Sequence, residues 1–215
     1  MIAALLPLTP SAITDMIHQN GILVYLLVFL IVMLAATIIG GPIPNNTFLL
    51  VTGAVAMNNG LSLLLLFVMA ALGAFTGYEI NYWGGKFFGL ALCRGSCPAI
   101  LHDKKVDAAL SLMDRFGATA FLISRFLPVM NVPSFIAGVN AMEHRRYVVF
   151  NLASAGVWCA TDLLVGYHIG GVPFVSANIS ALAGIFVVIL AAAIILALGI
   201  FLRDYVRWNG RRTGE

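Results

Sequence analysis

The sequence predicts an all-α polytopic membrane protein with about four transmembrane helices, two oppositely entering re-entrant hairpins and a short amphipathic interfacial helix. Three observations carry that expectation. Of the 215 residues, 61% are apolar and only 10% are charged, with a mean hydropathy of +0.98, a balance far from that of soluble domains. Several charge-free apolar runs are long enough to cross a hydrocarbon core of roughly 30 Å at about 1.5 Å rise per residue. Two further apolar segments are interrupted by prolines and polar side chains, and such backbone survives at membrane depth only inside protein or beside a wet cavity. Residues 1–215 read as one integral membrane domain, with a core over 20–202 and a basic tail over 203–215.

The stretch MIAALLPLTPSAITDMIHQNG lacks a basic n-region and holds Pro7 and Pro10, so a cleaved signal peptide is not expected. Gly21 to Gly40 is charge-free and is the first expected span. GGPIPNN, from Gly40 to Asn46, stops a helix, and the run Thr47 to Met57 is too short to cross, which suggests a re-entrant helix. After a turn at 58–60, Leu61 to about Phe88 forms a long span that ends in GYEINYWGGK. A loop over roughly 89–117 follows, in which VDAALSLMDRF has the spacing of an amphipathic helix lying at the interface. Ala118 to Val139 is the second broken segment, then comes a span from the basic turn EHRRY to about Gly170, and a last span over Ala181 to Leu202. Basic residues gather in the 86–115 loop, at Arg145 and Arg146, and in the tail, so these are expected on the cytoplasmic side together with both termini.

The stretch SRFLPVMNVPSFIAG places Arg125, Pro128, Asn131 and Pro133 inside an apolar segment. An arginine in hydrocarbon costs about 2.5 to 3.5 kcal/mol on insertion scales. Its guanidinium suits phosphate or carboxylate recognition, with Pro128 exposing half-helix backbone that also attracts anions. The competing reading is that Arg125 snorkels to the interface. Asn131 either joins the same pocket or caps a half-helix, and Asn45 and Asn46 hold the corresponding place in the first hairpin. Asp162 and Glu79 are the intramembrane acids and the candidates for a proton relay, Asp162 being the deeper. The competing reading places Glu79 at the interface, near Lys86 on the same helical face, and His168 is expected to be an interfacial hydrogen-bonding residue.

Cys93 and Cys97 in CRGSC, with His102 downstream, have no standard zinc spacing and lack a fourth ligand, so no metal is expected. Nor do three cysteines make a disulfide framework. No phosphate loop, nucleophile elbow or zinc-protease motif is present, so neither an enzyme nor a cofactor is expected. A formal charge of +3 is too small to suggest nucleic acid.

Taken in order and spacing, several motifs make the chain resemble the DedA family, also called the VTT or SNARE-associated-Golgi-protein domain family, over about residues 20–202. They are GGPIPNNTFLLVTGAVAMNNG; GYEINYWGGKFFG with Tyr82, Gly85 and Lys86; and FLISRFLPVMNVPSFIAGVNAMEHRRYVVFNLASAGVW followed by GYHIG. The last contains Arg125, Phe126 and Pro128, then Gly138, Met142, Asn151, Gly156, Trp158, Gly166, Tyr167 and Gly170. The resemblance implies two facing re-entrant hairpins and movement of lipids or lipid-linked phosphates, including undecaprenyl phosphate in bacterial members and phospholipid scrambling in eukaryotic relatives. It also implies proton coupling through hairpin acids and two arginines, but the acids correspond here to Asn46 and roughly Thr37, and the second arginine to Asn131. Arg125 alone of that set carries over, and asparagine neither titrates near neutral pH nor replaces a guanidinium.

The expected function is therefore transport of a lipid or lipid-linked phosphate in a bacterial inner membrane, with membrane lipids as partners and a homo-oligomer as one arrangement. A small-anion transporter and a membrane scaffold or assembly factor are the alternatives.

Overall fold

The computed structural model describes residues 21–38, 43–95, 111, 113–126 and 131–212, and among these it contains helices and no strand. The helices are α1 (Gly21–Ala36), α2 (Asn45–Asn59), α3 (Leu63–Gly95), α4 (Ala120–Ser124), α5 (Val132–Val139), α6 (His144–Gly170) and α7 (Pro173–Arg212). A single 3-10 turn, Gly117–Thr119, leads into α4. Gly60, at φ +66°, ends α2 in the left-handed conformation that glycine adopts without steric cost, as the turn signal at 58–60 predicts. The amphipathic segment lies mostly outside the described residues, of which 113–116 are helical. Residues 171–180, expected as a plain connection, are helical from Pro173 onward, where proline fits a first helical position.

Two helices, Leu63–Phe87 within α3 and α6, are long and apolar enough to cross a membrane, and the bent α7 is a third if its two parts form one span. Of the first expected span, the described residues form the helix Gly21–Ala36, within which Ile22–Ala36 is one of the shorter apolar helices.

The register of contacts sets the direction in which each helix runs. Going along α1, Tyr25 accepts a bond from the Ser62 amide, Phe29 and Met33 meet Gly73, Met33 and Ala36 meet Gly77, and the Ala36 carbonyl meets Asn81. Contacts rising together in number mean that α1 runs parallel to α3. Helix α2 returns alongside α6, with Asn46 at Trp158, Gly53 at Gly166 and Asn58 at Gly170. Helix α6 in turn runs antiparallel to α3, since Tyr82 meets Met142, Tyr78 meets Tyr147 and Phe75 meets Asn151. Helices α1 and α2 are thus two arms of one hairpin, with Gly21 and Gly60 at one end of the bundle. Helix α6 begins at the opposite end, so Gly21 and Arg145 lie at different ends of the bundle.

A second hairpin enters from that opposite end. Phe121 of α4 packs on Tyr147, Arg125 reaches Asn151 and Ser154, and α5 returns to finish five residues before α6 begins. Pro133, in the first turn of α5, restarts the helix after the break.

Small residues on α3 seat both hairpins. A β-carbon at Gly73 or Gly77 would strike α1 backbone, and one at Gly85 would strike the Phe135 carbonyl of α5. With Asn81 between them, positions 73, 77, 81 and 85 form one slowly drifting stripe at four-residue spacing. On α6, Gly166 and Gly170 meet the α2 backbone at Leu50 and Ala54 in the same way, the packing that lets helices approach where lipid supplies no hydrophobic drive. The outward faces are apolar: Leu26, Leu30, Leu34, Leu64, Leu72, Leu152 and Ile185 are all exposed, as suits a lipid-facing surface.

Candidate functional site

Asn151, Ser154, Trp158 and Asp162 are all buried and lie at steps of three and four along α6, so they share one face. Arg125 caps the C-terminal end of α4 and is 0% exposed. Its Nε donates to Ser154 Oγ at 3.2 Å and its Nη2 to Asn151 Oδ1 at 3.0 Å. The guanidinium carbon lies 3.2 Å from the centre of the Tyr78 ring, a cation–π contact that gains strength away from water. Burial at 0% rules out the snorkelling reading.

The chain of bonds continues. The amide nitrogen of Asn151 donates to Glu79 Oε1 at 3.1 Å and to the Phe75 carbonyl at 3.3 Å, and Glu79 Oε2 lies 2.9 Å from His144 Nε2. Glu79 is 15% exposed and His144 is 40% exposed, so the series runs from the interior to the end of the bundle where α6 starts. Glu79 is bonded to His144 and Asn151, while Lys86 lies on the same face of α3. Two helical turns separate Glu79 from Lys86 by about 10 Å, whereas antiparallel packing brings His144 alongside. The Lys86 ammonium instead sits 4.9 Å from the Trp83 ring and 5.9 Å from the Tyr82 ring.

The two hairpin tips meet through asparagines. Asn131 Nδ2 donates across to the carbonyls of Ala35 at 3.1 Å and Thr37 at 2.9 Å. It forms no side-chain cap on α5, so the capping reading gives way to a bridge between hairpins. Asn81 holds both tips: its Oδ1 accepts from the Ile38 amide at 3.0 Å, and its Nδ2 donates to Ala36 at 2.9 Å and to the Asn131 carbonyl at 3.3 Å.

Asn46 accepts from the Trp158 indole at 3.2 Å. That is about 6 Å along α6 from Ser154, so Asn46 lies beside Trp158 and is not among the bonded partners described for Arg125. Asn45, the first residue of α2, is 3% exposed, and neither of its amide atoms has a hydrogen-bond partner among the described residues. Asn131 Oδ1, Tyr78 Oη, Ser134 Oγ and Asp162 Oδ2 share that condition. Buried polar atoms are rarely left so, and in a membrane interior each carries a desolvation cost of about 1 to 3 kcal/mol. Asp162 is 8% exposed on the Trp158 face, one turn further from Arg125. Pro128, Cys97 and His102 lie outside the described residues. His168 is exposed with its ring edge-on to Tyr167 at 6.1 Å.

Residues 43–168 match the VTT domain family model. That range takes in α2, the asparagine bridge, Arg125 and the whole polar face of α6. The chain belongs to the VTT-domain, or DedA, family. It is 27% identical over 188 residues to Protein DedA of Escherichia coli, covering 85% of this chain and 86% of that one. Identity to the uncharacterized membrane protein YbfM of Bacillus subtilis is 30% over 151 residues, 68% of this chain and 90% of the relative. With the inner membrane protein YghB of Salmonella typhimurium it is 28% over 160 residues, 72% and 71% of the two chains. No solved structure matches it. With apolar helices long enough to cross a bilayer, this DedA-family chain is an integral membrane protein.

Side chains that sequence reasoning passed over do much of the positioning. Asn81, His144, Tyr78 and Ser154 lie in segments read as the end of a long span, a basic turn or plain span. The four-residue spacing from Gly77 through Asn81 to Gly85 was the available signal for the first of them.

Proposed function

We propose that this protein carries a lipid or lipid-linked phosphate, such as undecaprenyl phosphate or a phospholipid, across the membrane without chemical conversion. The observation that supports this most is the meeting of two oppositely directed helical hairpins, end to end inside the bundle, beside a fully buried arginine. In a bilayer the hairpins are re-entrant, entering from opposite faces between the spans α3, α6 and α7, as discontinuous helices do in transporters. With Lys86, Arg145 and Arg146 on the cytoplasmic face, Gly21 lies toward the outer face and the Arg125 hairpin enters from the cytoplasm.

The anionic headgroup exchanges with the neutral partners of Arg125, Ser154 and Asn151, since a guanidinium binds phosphate more strongly than it binds hydroxyl or amide oxygens. Asn45, Asn46 and Asn131 supply further polar contacts, and the unsatisfied Asn45 amide lies at the positive end of α2. Acyl or prenyl tails stay in lipid along the exposed leucine faces.

Liposomes holding the purified protein are expected to translocate a fluorescent phospholipid or a labelled polyprenyl phosphate. Arg125→Ala lowers the rate by about tenfold or more, and Arg125→Lys recovers only part, because an ammonium lacks the planar fork. Absence of protein-dependent movement of both lipids would sink the proposal. Anion flux without lipid movement would support a small-anion carrier in its place.

A further inference from the structure

At the end of the bundle where α6 starts, α3 carries a surface that the hairpin site does not use. Trp83 and Phe87 lie four residues apart and are both exposed, with their rings stacked at 5.5 Å. The Trp83 ring also meets Tyr82 edge-on at 5.6 Å and His144 at 5.1 Å, and Tyr82 stacks on the buried Tyr147 at 4.4 Å. The exposed rings are thereby anchored to the interior and form a fixed wall.

The Lys86 ammonium stands against this wall, 4.9 Å from the Trp83 ring centre and 5.9 Å from that of Tyr82. Ring faces hold a cation in place without neutralising it, so its charge stays available to an anion. The acid on the same face of α3, Glu79, has both oxygens engaged, one by His144 and the other by Asn151. Among the described residues no acid forms an ion pair with Lys86, Arg145 or Arg146. Arg145 and Arg146 are exposed in the first turn of α6, beside the exposed Glu143, so this end of the bundle is positive on balance.

From Lys86 toward the middle of the bundle, the outer face of α3 is apolar. Ile80 and Leu72 are exposed, and Thr76 between them turns its hydroxyl back onto the Leu72 carbonyl at 2.8 Å. Positions 72, 76, 80, 83 and 87 follow one another at steps of three and four, so they form one stripe. Lys86 and Leu72 are about 21 Å apart along the helix axis, which is the reach of one extended acyl chain. A cation at headgroup level, rings beneath it and an apolar stripe running on to the midplane match the parts of one amphipathic molecule.

We propose that Lys86, Trp83 and this stripe of α3 bind an anionic glycerophospholipid of the cytoplasmic leaflet, held as a resident ligand and not carried. Its phosphate lies on the Lys86 ammonium, its glycerol against the Trp83 ring and one acyl chain along Ile80 and Leu72. A zwitterionic lipid makes the same apolar contacts, but its own cation competes with Lys86 for the phosphate, so the site selects net negative charge. The site is separate from Arg125: Lys86 lies about 12 Å along α3 from Tyr78, the ring that meets the guanidinium. The competing reading is a plain aromatic belt with a snorkelling lysine, which contacts every lipid alike.

Tryptophan quenching of the full chain in phosphatidylcholine liposomes separates the two. A minor share of the lipid is brominated near the top of its chains, as either phosphatidylglycerol or phosphatidylcholine, and bromine quenches the rings that it touches. Brominated phosphatidylglycerol is expected to quench the wild type about threefold to fivefold more effectively, the factor that one basic residue near anionic lipid contributes. That excess disappears in Trp83→Phe, which keeps a ring but removes the emitter, and in Lys86→Gln, and it returns in Lys86→Arg. Raising the salt concentration weakens it. It persists in Arg125→Gln, and a wild type that shows it while moving no lipid keeps this site and loses the carrying function. Equal quenching by the two lipids in the wild type, or an excess that survives Lys86→Gln or Trp83→Phe, overturns the site in favour of a plain belt or another tryptophan. An excess lost in Arg125→Gln overturns it too, by assigning the anionic lipid to the hairpins.

Discussion

Replacing Gly138 by alanine is expected to destabilise the protein by about 3 kcal/mol, at the upper end of what overpacking costs. The β-carbon would run into the Tyr82 carbonyl and come within 2.8 Å of the Lys86 amide and 2.9 Å of the Tyr82 carbonyl carbon. These are all backbone atoms of α3, so no side chain can swing aside and the helices must part. On the other side of the same contact, Gly85 already abuts the Phe135 carbonyl. Separation of α5 from α3 also strains the Tyr82 hydroxyl bond to the Met142 carbonyl, 2.6 Å long, which holds the end of the second hairpin. Gly84→Ala is the control, because a β-carbon there meets nothing within 4 Å among the described residues. It should be neutral or stabilising by up to about 1 kcal/mol through helix propensity. Thermal melting of both variants in detergent micelles decides the matter. Equal midpoints would mean that α5 does not sit on α3 as described.

The hairpin at Arg125 was legible in the sequence for a simple reason: two prolines and an arginine in an apolar stretch conflict with a plain span, and the conflict has few solutions. The second-hairpin break, the ends of α6 and the turn at Gly60 all follow from such local signals. The path of the first hairpin was not legible. Gly21 to Gly40 has the composition of a span, but the direction of its helix and its seat are set by register against Gly73 and Gly77 of α3, a tertiary fact without a local mark. The same holds for the site. Arg125, Asn46, Asn131 and Glu79 stand out as polar residues at depth, but their partners are set by which helix faces meet. Antiparallel packing of α3 and α6 brings His144 to Glu79, and the meeting of the tips turns Asn131 away from its own helix.

Asn81→Leu is expected to cost about 2 to 4 kcal/mol although leucine has the same number and branching of side-chain heavy atoms, because three hydrogen bonds lose one partner where no water can replace it. Asn81 accepts from the Ile38 amide and donates to Ala36 and to the Asn131 carbonyl, so a single amide closes the end of α1 and holds the opposing tip. Asn81→Asp separates the two halves of that role. Its carboxylate can still accept from Ile38, yet it presents negative charge to the carbonyls of Ala36 and Asn131, so it should be at least as damaging as leucine. Asn131→Ala removes the bonds to Ala35 and Thr37 from the other side. In a double-mutant cycle the Asn81 and Asn131 changes should therefore be strongly non-additive, coupled by about 1 kcal/mol or more, whereas either one combined with Gly166→Ala, on the α2–α6 contact, should add. Such a pattern in the melting data would place the stability of the two tips in one shared asparagine bridge. Additive Asn81 and Asn131 effects would instead mean that each hairpin is held by its own packing on α3, and that the tips merely touch.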